Sequence, residues 1–208
     1  MKKSKRIKKS NSWKIKQHRD QFFKKSKTLG YRSRASFKLI ELNKKFKFIK
    51  SNSTVIDLGS APGGWSQVAS QLIKRGITLS VDLKDMEIIK GVKFLKLDFL
   101  EEKNKKKIIE AIDTKADIVL SDMAADTTGN KNLDCIRTNL LCAEVIEFAR
   151  FVLKDTGVVV SKLFNGTDFI KVKNLAKKNF KKVNFFKPKS SKDASKETYI
   201  HCEGIKTL

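Results

Sequence analysis

The sequence contains few of the residues that build disulfides or metal sites. Its 208 residues include three cysteines and two histidines. Cys135 and Cys142 lie a heptad apart on one predicted helix, too far apart to bridge, and neither they nor Cys202 form a Cys-x-x-Cys pair. We therefore expect reduced, structural cysteines. We also predict no metal, since His18 and His201 add no familiar zinc-ligand spacing.

Long apolar segments are also absent. No run approaches the ~18 residues of a membrane span, and the charged N-terminus lacks the apolar core of a secretory signal. A mitochondrial transit peptide is disfavoured, because such peptides favour arginine and here lysine dominates. We expect a soluble, cytoplasmic protein with no membrane partner. A chain of 208 residues is long enough for one sizeable core and short for two.

Neither of the two common phosphate-binding glycine motifs occurs, which argues against a dinucleotide or ATP site. Residues 55–67 instead read VIDLGSAPGGWSQ, an apolar strand that runs into a glycine turn and then a helix. Glycines allow positive φ and close approach of a ligand, and Asp57 can reach an ammonium or a hydroxyl. This pattern favours S-adenosylmethionine over the alternative, an ordinary strand–turn–helix corner. The candidate cofactor-binding residues here are Asp57, Gly59, Ser60, Ala61, Pro62, Gly63, Gly64 and Trp65.

Acidic residues are scarce, and the excess of positive charge is unevenly distributed. The chain has 46 Lys and Arg against 22 Asp and Glu, a net charge of +24. Residues 1–50 hold 19 of the basic residues and only Asp20 and Glu41, so they carry +17 of that charge. Aromatic residues, among them Trp13 and Tyr31, are interleaved with the lysines. This favours nucleic-acid binding through phosphates over a solvated tail, with an anionic membrane a weaker alternative.

The rest of the chain alternates short β-branched runs with helical stretches, which is typical of parallel βαβ units. We predict an α/β fold with a seven-stranded, mostly parallel sheet, an antiparallel last strand and helices on both faces. The predicted strands are 54–58, 78–82, 92–97, 117–122, 158–164, 182–186 and 198–202, and the predicted helices are 13–27, 33–48 and 133–153. We expect residues 1–30 to be a basic extension, disordered at first and then helical, and residues 31–208 to be a single domain.

Ionisable residues recur at the carboxyl ends of the predicted strands, where open α/β sheets bind ligands. Asp82, about twenty residues after the glycine turn, is placed to accept hydrogen bonds from ribose hydroxyls. Asp98 could accept from an adenine amino group while Phe99 packs on the base. The alternative for both aspartates is an ordinary strand-end turn. The candidate cofactor residues of this edge are Asp82, Leu83, Asp98, Phe99 and Asp122.

Lys162 lies near the carboxyl end of a largely apolar strand, VVVSKLF (158–164). Partial desolvation disfavours a protonated amine, so this placement predicts a lowered pKa and a neutral lysine that can act as a base. A strand-end lysine that reaches solvent is the alternative. Asp122 ends the neighbouring strand and Glu197 opens the last one, so both carboxylates could converge on Lys162. They would oppose a lowered pKa, so the net shift stays open. The alternative to a base is a permanently charged Lys162 that acts by electrostatic steering.

Five segments together resemble the FtsJ family of RNA 2′-O-ribose methyltransferases, from about residue 11 to residue 203. They are RSRASFKL (32–39), DLGSAPGGWSQ (57–67), SDMA (121–124), KLF (162–164) and KP through SKETY (187–199). The resemblance implies a Rossmann-like, S-adenosylmethionine-dependent fold and a catalytic tetrad of Lys38, Asp122, Lys162 and Glu197. Lys38 is nominated by the resemblance alone. The family usually continues Asp-Met-Ala with Pro-Asn, whereas this chain has Ala125 and Asp126, which puts in doubt a substrate contact through the missing amide.

Length and basic start are most similar to the bacterial members, which methylate a uridine ribose in the A-loop of 23S ribosomal RNA. The resemblance suggests the assembled large ribosomal subunit as substrate and a monomeric enzyme. The candidate RNA-binding residues are Arg32, Arg34, Lys187, Lys189, Lys192 and Lys196. Two alternatives stay open: a 2′-O-methyltransferase of another RNA, such as tRNA or an mRNA cap, and a ribosome-assembly factor without turnover.

Overall fold

A computed structural model describes residues 20–206. The helices are α1 (Gln21–Thr28), α2 (Ala35–Phe46), α3 (Gly64–Leu72), α4 (Glu102–Glu110), α5 (Lys131–Val152) and α6 (Phe169–Asn179). The strands are β1 (Thr54–Leu58), β2 (Ile77–Asp82), β3 (Val92–Lys96), β4 (Ala116–Ser121), β5 (Leu153–Phe164), β6 (Phe180–Phe186) and β7 (Glu197–Ile205). The helix predicted over 13–27 lies partly outside the described residues, and its described part forms α1.

The seven strands form one sheet in the order β3-β2-β1-β4-β5-β7-β6. Neighbouring strands from β3 through β5 pair in parallel, whereas β7 inserts between β5 and β6 and pairs antiparallel with both. The predicted fold class is confirmed. Because β7 runs backwards, its first residue, Glu197, pairs with Phe164 at the carboxyl end of β5.

Helices cover both faces of the sheet, because successive strand residues point to opposite sides. On one face, Val55 packs with Leu39 of α2 and Trp65 of α3. On the other, Ile56 packs with α5 residues such as Val145 and Phe148. All five residues of β1 are buried, and its apolar residues pack on both faces of the sheet.

The strand predicted to begin at residue 158 begins earlier, at Leu153. Helix α5 ends at Val152, and Leu153 pairs with Ala116 before the β4–β5 register shifts between Ala116 and Ile118. The exposed polar residues after Leu153 hide this extension from the sequence pattern, because they lack apolar alternation.

Helices α1 and α5 begin at side-chain caps. Asp20 accepts hydrogen bonds from the backbone N–H groups of Phe22 and Phe23, and Asn130 does the same for Asn132 and Leu133. The Asp20 cap fixes the start of α1 close to Arg34, with which its carboxylate forms an ion pair.

Cys135, Cys142 and Cys202 are free and buried. Over residues 20–206, no helix is long and apolar enough to cross a membrane. In the same part of the chain, no group of three His, Cys, Asp or Glu side chains is arranged to hold a metal ion.

Candidate active site

The turn after β1 brings backbone close to the sheet edge. Gly59 has φ +73° and Gly63 has φ +103°, a region that side-chain-bearing residues rarely adopt. A Cβ on Gly59 would lie 2.1 Å from Cγ of Met123, which follows β4. The N–H groups of Gly59 and Ser60 donate to the carbonyl of Val81, so the turn is fixed against β2.

Asp57 lies beneath this turn and is 1% exposed. Its Oδ2 accepts a 2.6 Å hydrogen bond from Ser66 Oγ, and Ser66 Oγ in turn accepts one from Ser80. Burial raises the pKa of Asp57 to about 7, against the smaller opposing effect of the Ser66 bond. A cation beside Asp57 would stabilise the charged form of this buried carboxyl group.

A cavity of about 370 Å³ opens at the carboxyl ends of β1, β2 and β4. The predicted residues that line it are Gly59, Ala61, Asp82, Leu83, Asp98, Phe99 and Asp122, and it also contains Ala125 and Asp126. Asp82 accepts backbone bonds from Ala61 and Lys84 through its two carboxylate oxygens, and so it joins the glycine turn to the β2–β3 loop.

Asp98 and Phe99 also have partners within the protein. Asp98 Oδ1 accepts from the N–H of Leu100, which closes the strand-end turn. The ring of Phe99 is 4% exposed and packs edge-on against Phe148, with centroids 5.2 Å apart. Ligand contacts by these residues stay predictions.

Two smaller recesses continue from this cavity. One, about 190 Å³, lies between Asp57, Trp65 and Asp122 and also contains Ser60, Pro62 and Gly64. The other, about 230 Å³, contains Arg34, Lys38, Lys192, Ser195 and Glu197. Asp122 borders the first two spaces, and Arg34 borders the last two. The three spaces are therefore neighbours, and they lie between the glycine turn and the lysines of residues 187–196.

The four residues of the predicted tetrad contact one another, although they come from α2, the end of β4, β5 and β7. Lys162 Nζ lies 2.9 Å from Asp122 Oδ1 and 3.1 Å from Glu197 Oε2. Lys38 Nζ lies 2.8 Å from Glu197 and 3.7 Å from Asp122. Each amine touches both carboxylates, so the two positive and two negative charges alternate around a ring.

The electrostatics of Lys162 differ from the prediction. Burial alone would lower the pKa of Lys162, but attraction to Asp122 and Glu197 and their hydrogen bonds outweigh it, so the pKa is raised. The lowered pKa expected from burial alone is not found, because two carboxylates lie within about 3 Å of the amine. The direction of the shift favours the alternative of a charged Lys162. Likewise, burial opposes ionisation of Asp122 and Glu197, yet the charges of Lys162 and Lys38 lower the pKa of both.

Tyr199 is a site residue that sequence reasoning missed. Its hydroxyl donates a 2.5 Å hydrogen bond to Asp122 Oδ1, and burial raises the pKa of this phenol, which keeps it a donor. Its ring lies 5.6 Å from Lys38 Nζ and 5.6 Å from the ring of Trp65. Tyr199 stands two residues after Glu197, so the period of a strand, which places both on one face, was the signal.

The candidate RNA-binding residues fall into two groups. Arg32 and Lys187 hold backbone carbonyls: Arg32 donates to Pro62, Glu87 and Ile88, and Lys187 donates to Asp193 and Ser195. Lys189, Lys192 and Lys196 are exposed. Arg34 is half-buried, pairs with Asp20 and donates to the carbonyl of Ser190.

Comparisons with known proteins show the family of this chain. Residues 31–205 match the family described as FtsJ-like methyltransferase. The chain is 46% identical over 202 residues to the ribosomal RNA large subunit methyltransferase E of Rickettsia canadensis, covering 94% of this chain and 89% of that one. It is 44% identical over 194 residues to the protein of the same name from Pelagibacter ubique, covering 93% and 96%.

Among solved structures, a ribosomal RNA methyltransferase from Plasmodium falciparum superimposes with a TM-score of 0.75 at 31% identity. The superposition covers 84% of this chain and 98% of that one. The family match over residues 31–205 spans the positions of the glycine turn, all seven strands and the four tetrad residues.

Proposed function

Because this chain belongs to the FtsJ-like methyltransferase family, we propose that it transfers the methyl group of S-adenosylmethionine to a ribose 2′-hydroxyl of large-subunit ribosomal RNA. The observation that carries the proposal is the buried ring of Lys38, Asp122, Lys162 and Glu197 beside the glycine turn. The names of the two bacterial relatives support a large-subunit RNA as substrate.

The finer substrate follows from the same resemblance. We propose a uridine ribose in the A-loop of 23S RNA, methylated on the assembled large subunit by a monomer in the cytoplasm. In this proposal residues 1–30 are a basic extension that contacts RNA, and residues 31–208 are the methyltransferase domain. The charge of +17 on residues 1–50 supports an RNA contact there.

The residues at the glycine turn fit S-adenosylmethionine. A Cβ on Gly59 would collide with Met123, Asp57 is a buried acceptor suited to an ammonium group, and Ser60 Oγ is buried without a partner within residues 20–206. Asp57 and Trp65 would hold the amino-acid end, and Asp82, Leu83, Asp98 and Phe99 the nucleoside end. When bound, S-adenosylmethionine would supply a methyl group attached to a positively charged sulfur.

The tetrad would orient the attacking oxygen. A protonated Lys162 donates to the ribose 2′-oxygen and fixes its direction, while Asp122 and Glu197 hold both amines in place. Such alignment supplies up to about 7–11 kcal/mol of a barrier. Because the pKa of Lys162 is raised, the hydroxyl proton would pass to solvent water late, as the methyl–sulfur bond gives way to the new C–O bond, rather than to a neutral lysine beforehand.

The direct test is to incubate the protein with methyl-labelled S-adenosylmethionine and either large ribosomal subunits, protein-free 23S RNA or total tRNA, and to map the labelled ribose. We expect label on one uridine of the subunit. Label on tRNA would move the substrate to another RNA, and the absence of label from all three, with cofactor bound, would favour an assembly factor without turnover.

A further inference from the structure

The loop between β6 and β7, residues 187–196, contains four lysines and one acidic residue. We call it the β6–β7 loop. Its lysine side chains at 189, 192 and 196 are exposed, whereas Ser190 and Ser191 are 0% and 5% exposed. A segment of like charges repels itself, so this loop needs contacts that fix its middle while its lysines face outward.

Those contacts come from Glu41 of α2. Its Oε2 accepts a 2.6 Å hydrogen bond from the N–H of Lys189, and its Oε1 accepts a 3.0 Å bond from the N–H of Ser190. From the same side, Arg34 donates to the carbonyl of Ser190. Both oxygens of one carboxylate are thus used on consecutive backbone amides, an arrangement that a single neutral acceptor cannot reproduce.

The same two segments also meet at the tetrad. Lys38 lies three residues before Glu41, nearly one turn of α2, and bonds Glu197. Ser191, next to the residue that Glu41 holds, donates a 2.8 Å bond to Oε1 of Glu197, which Lys38 also contacts. Helix α2 therefore contacts the β6–β7 loop directly at Glu41, outside the tetrad, and indirectly at the tetrad, where Lys38 and Ser191 both bond Glu197, the first residue of β7.

We propose that Glu41 is a positioning residue that holds the β6–β7 loop in the conformation in which Lys189 and Lys192 contact RNA phosphates. Glu41 touches neither cofactor space nor any tetrad side chain, so it acts on RNA binding through the loop. The RNA part of this proposal rests on the proposed function, whereas the contact between Glu41 and the loop does not.

The test compares Glu41→Gln with Glu41→Asp in the full-length protein, and Glu110→Gln on exposed α4 serves as the matched control. Glutamine keeps one acceptor but turns an NH₂ group toward a backbone N–H, so one amide loses its partner. Aspartate keeps both acceptors on a shorter side chain and should rescue in part. Hydrogen exchange of the free protein, cofactor affinity, single-turnover kinetics on large subunits and the salt dependence of subunit binding are measured.

We expect Glu41→Gln to speed exchange at the amides of Lys189 and Ser190 and to raise KM for the subunit about tenfold, the usual order for a charge-assisted bond. The rate at saturating subunit and the affinity for S-adenosylmethionine should stay within about threefold. The slope of log affinity against log salt should become shallower by roughly 1 to 2, because two phosphate contacts are lost.

Unchanged exchange at both amides would overturn the proposal whatever the protein methylates. Faster exchange with unchanged KM and salt slope would overturn the RNA role of the loop. A KM increase with an unchanged salt slope would indicate general loosening of the fold and would also count against it. Failure of the proposed function is separate, since it would appear as missing ribose label with wild-type protein.

Discussion

At the residue scale, the tetrad shows how two lysines are kept charged in a buried place. The side chains of Lys38 and Lys162 are each 10% exposed. Isolated buried ammonium groups lose several kcal/mol of hydration, and removing one partner of a buried pair costs about 3–5 kcal/mol. Alternation with Asp122 and Glu197 offsets that loss, so each charge depends on the other three.

Replacing Lys162 tests the division of labour at the site. We expect Lys162→Ala to lower the single-turnover rate at least about 10³-fold, because the 2′-oxygen loses its charged donor. Binding of S-adenosylmethionine should change less than about threefold, as measured by calorimetry. Lys182→Ala, which removes a lysine paired with Glu203 on the surface, should leave both unchanged.

A collapse of cofactor affinity in Lys162→Ala would contradict this assignment. So would a wild-type rate that rises with pH through a group near 7 and loses that rise in the variant, since the raised pKa of Lys162 keeps it protonated there.

Asp57 makes cofactor binding depend on pH. With its pKa at about 7, the carboxyl of the free protein is neutral at pH 5–6 and charged at pH 8. Affinity for an ammonium-bearing ligand should therefore rise with pH, up to about tenfold per unit, and level off above pH 7. Calorimetric titration from pH 5.5 to 8.5 checks this.

Asp57→Asn should bind the cofactor at least about tenfold more weakly at pH 8 and lose most of this pH dependence, while Asp155→Asn, on the surface, should keep it. The same raised pKa means that the folded protein binds the proton more tightly than the unfolded chain. The free energy of unfolding contributed by Asp57 is therefore greatest below the unfolded pKa and falls as pH rises through about 7. Flat affinity across the range would disprove a titrating Asp57.

At the element scale, the turn between β1 and α3 depends both on its backbone conformation and on the side chain that packs against it. Positive φ at Gly59 turns the chain over the sheet edge, and the missing side chain leaves room for Met123. Gly91, in the loop before β3, has a similar φ of +79° but nothing within 4 Å of a would-be Cβ. A side chain at Gly91 would therefore cause backbone strain alone, whereas a side chain at Gly59 would cause strain and a steric clash with Met123.

Gly91→Ala should cost about 1 kcal/mol of unfolding free energy, the strain of a positive φ. Gly59→Ala should cost more, roughly 2–4 kcal/mol, because Met123 must move as well. It should also weaken cofactor binding at least about tenfold. Denaturant unfolding and calorimetry measure both, and equal effects of the two substitutions would show that the contact with Met123 carries no weight.

At the scale of the whole molecule, the net positive charge would attract the protein to the RNA of the proposed function. The net charge is +24, and residues 1–19 contribute nine basic and no acidic residues. Attraction of this kind acts on any phosphate backbone and is screened by salt. In the proposed function, the positioning of one ribose in the tetrad would then come from the folded shape of the RNA.

Affinity for large subunits should fall steeply with salt, by about 10³-fold or more between 50 and 200 mM if six or more phosphates are contacted. Affinity for S-adenosylmethionine over the same range should change less than about twofold, which makes it the internal control. Filter binding or fluorescence anisotropy measures the slope. Subunit binding that is insensitive to salt would rule out a phosphate-based contact.

The sequence by itself determined the fold class and the nomination of the tetrad. Strand periodicity, the glycine turn and charged strand ends are local patterns, and the topology of parallel sheets brings strand ends to one edge. The antiparallel last strand was predicted from the short connection at residues 187–196, and the structure contains it as β7. Lys38 needed the family resemblance, because on its own it is one helix lysine among many.

Only the tertiary structure decided the protonation state of those residues and their hydrogen-bond and ion-pair partners. Lys38 and Glu197 are 159 positions apart along the chain, yet the two side chains lie 2.8 Å apart. The Coulomb energy between them depends on the distance in space and not on the separation along the chain. The direction of the pKa shift of Lys162, the bond from Tyr199 to Asp122 and the hold of Glu41 on the β6–β7 loop all arise between chain segments that the sequence keeps far apart. Local patterns fix which groups reach the site, whereas packing fixes the distances that set their charge.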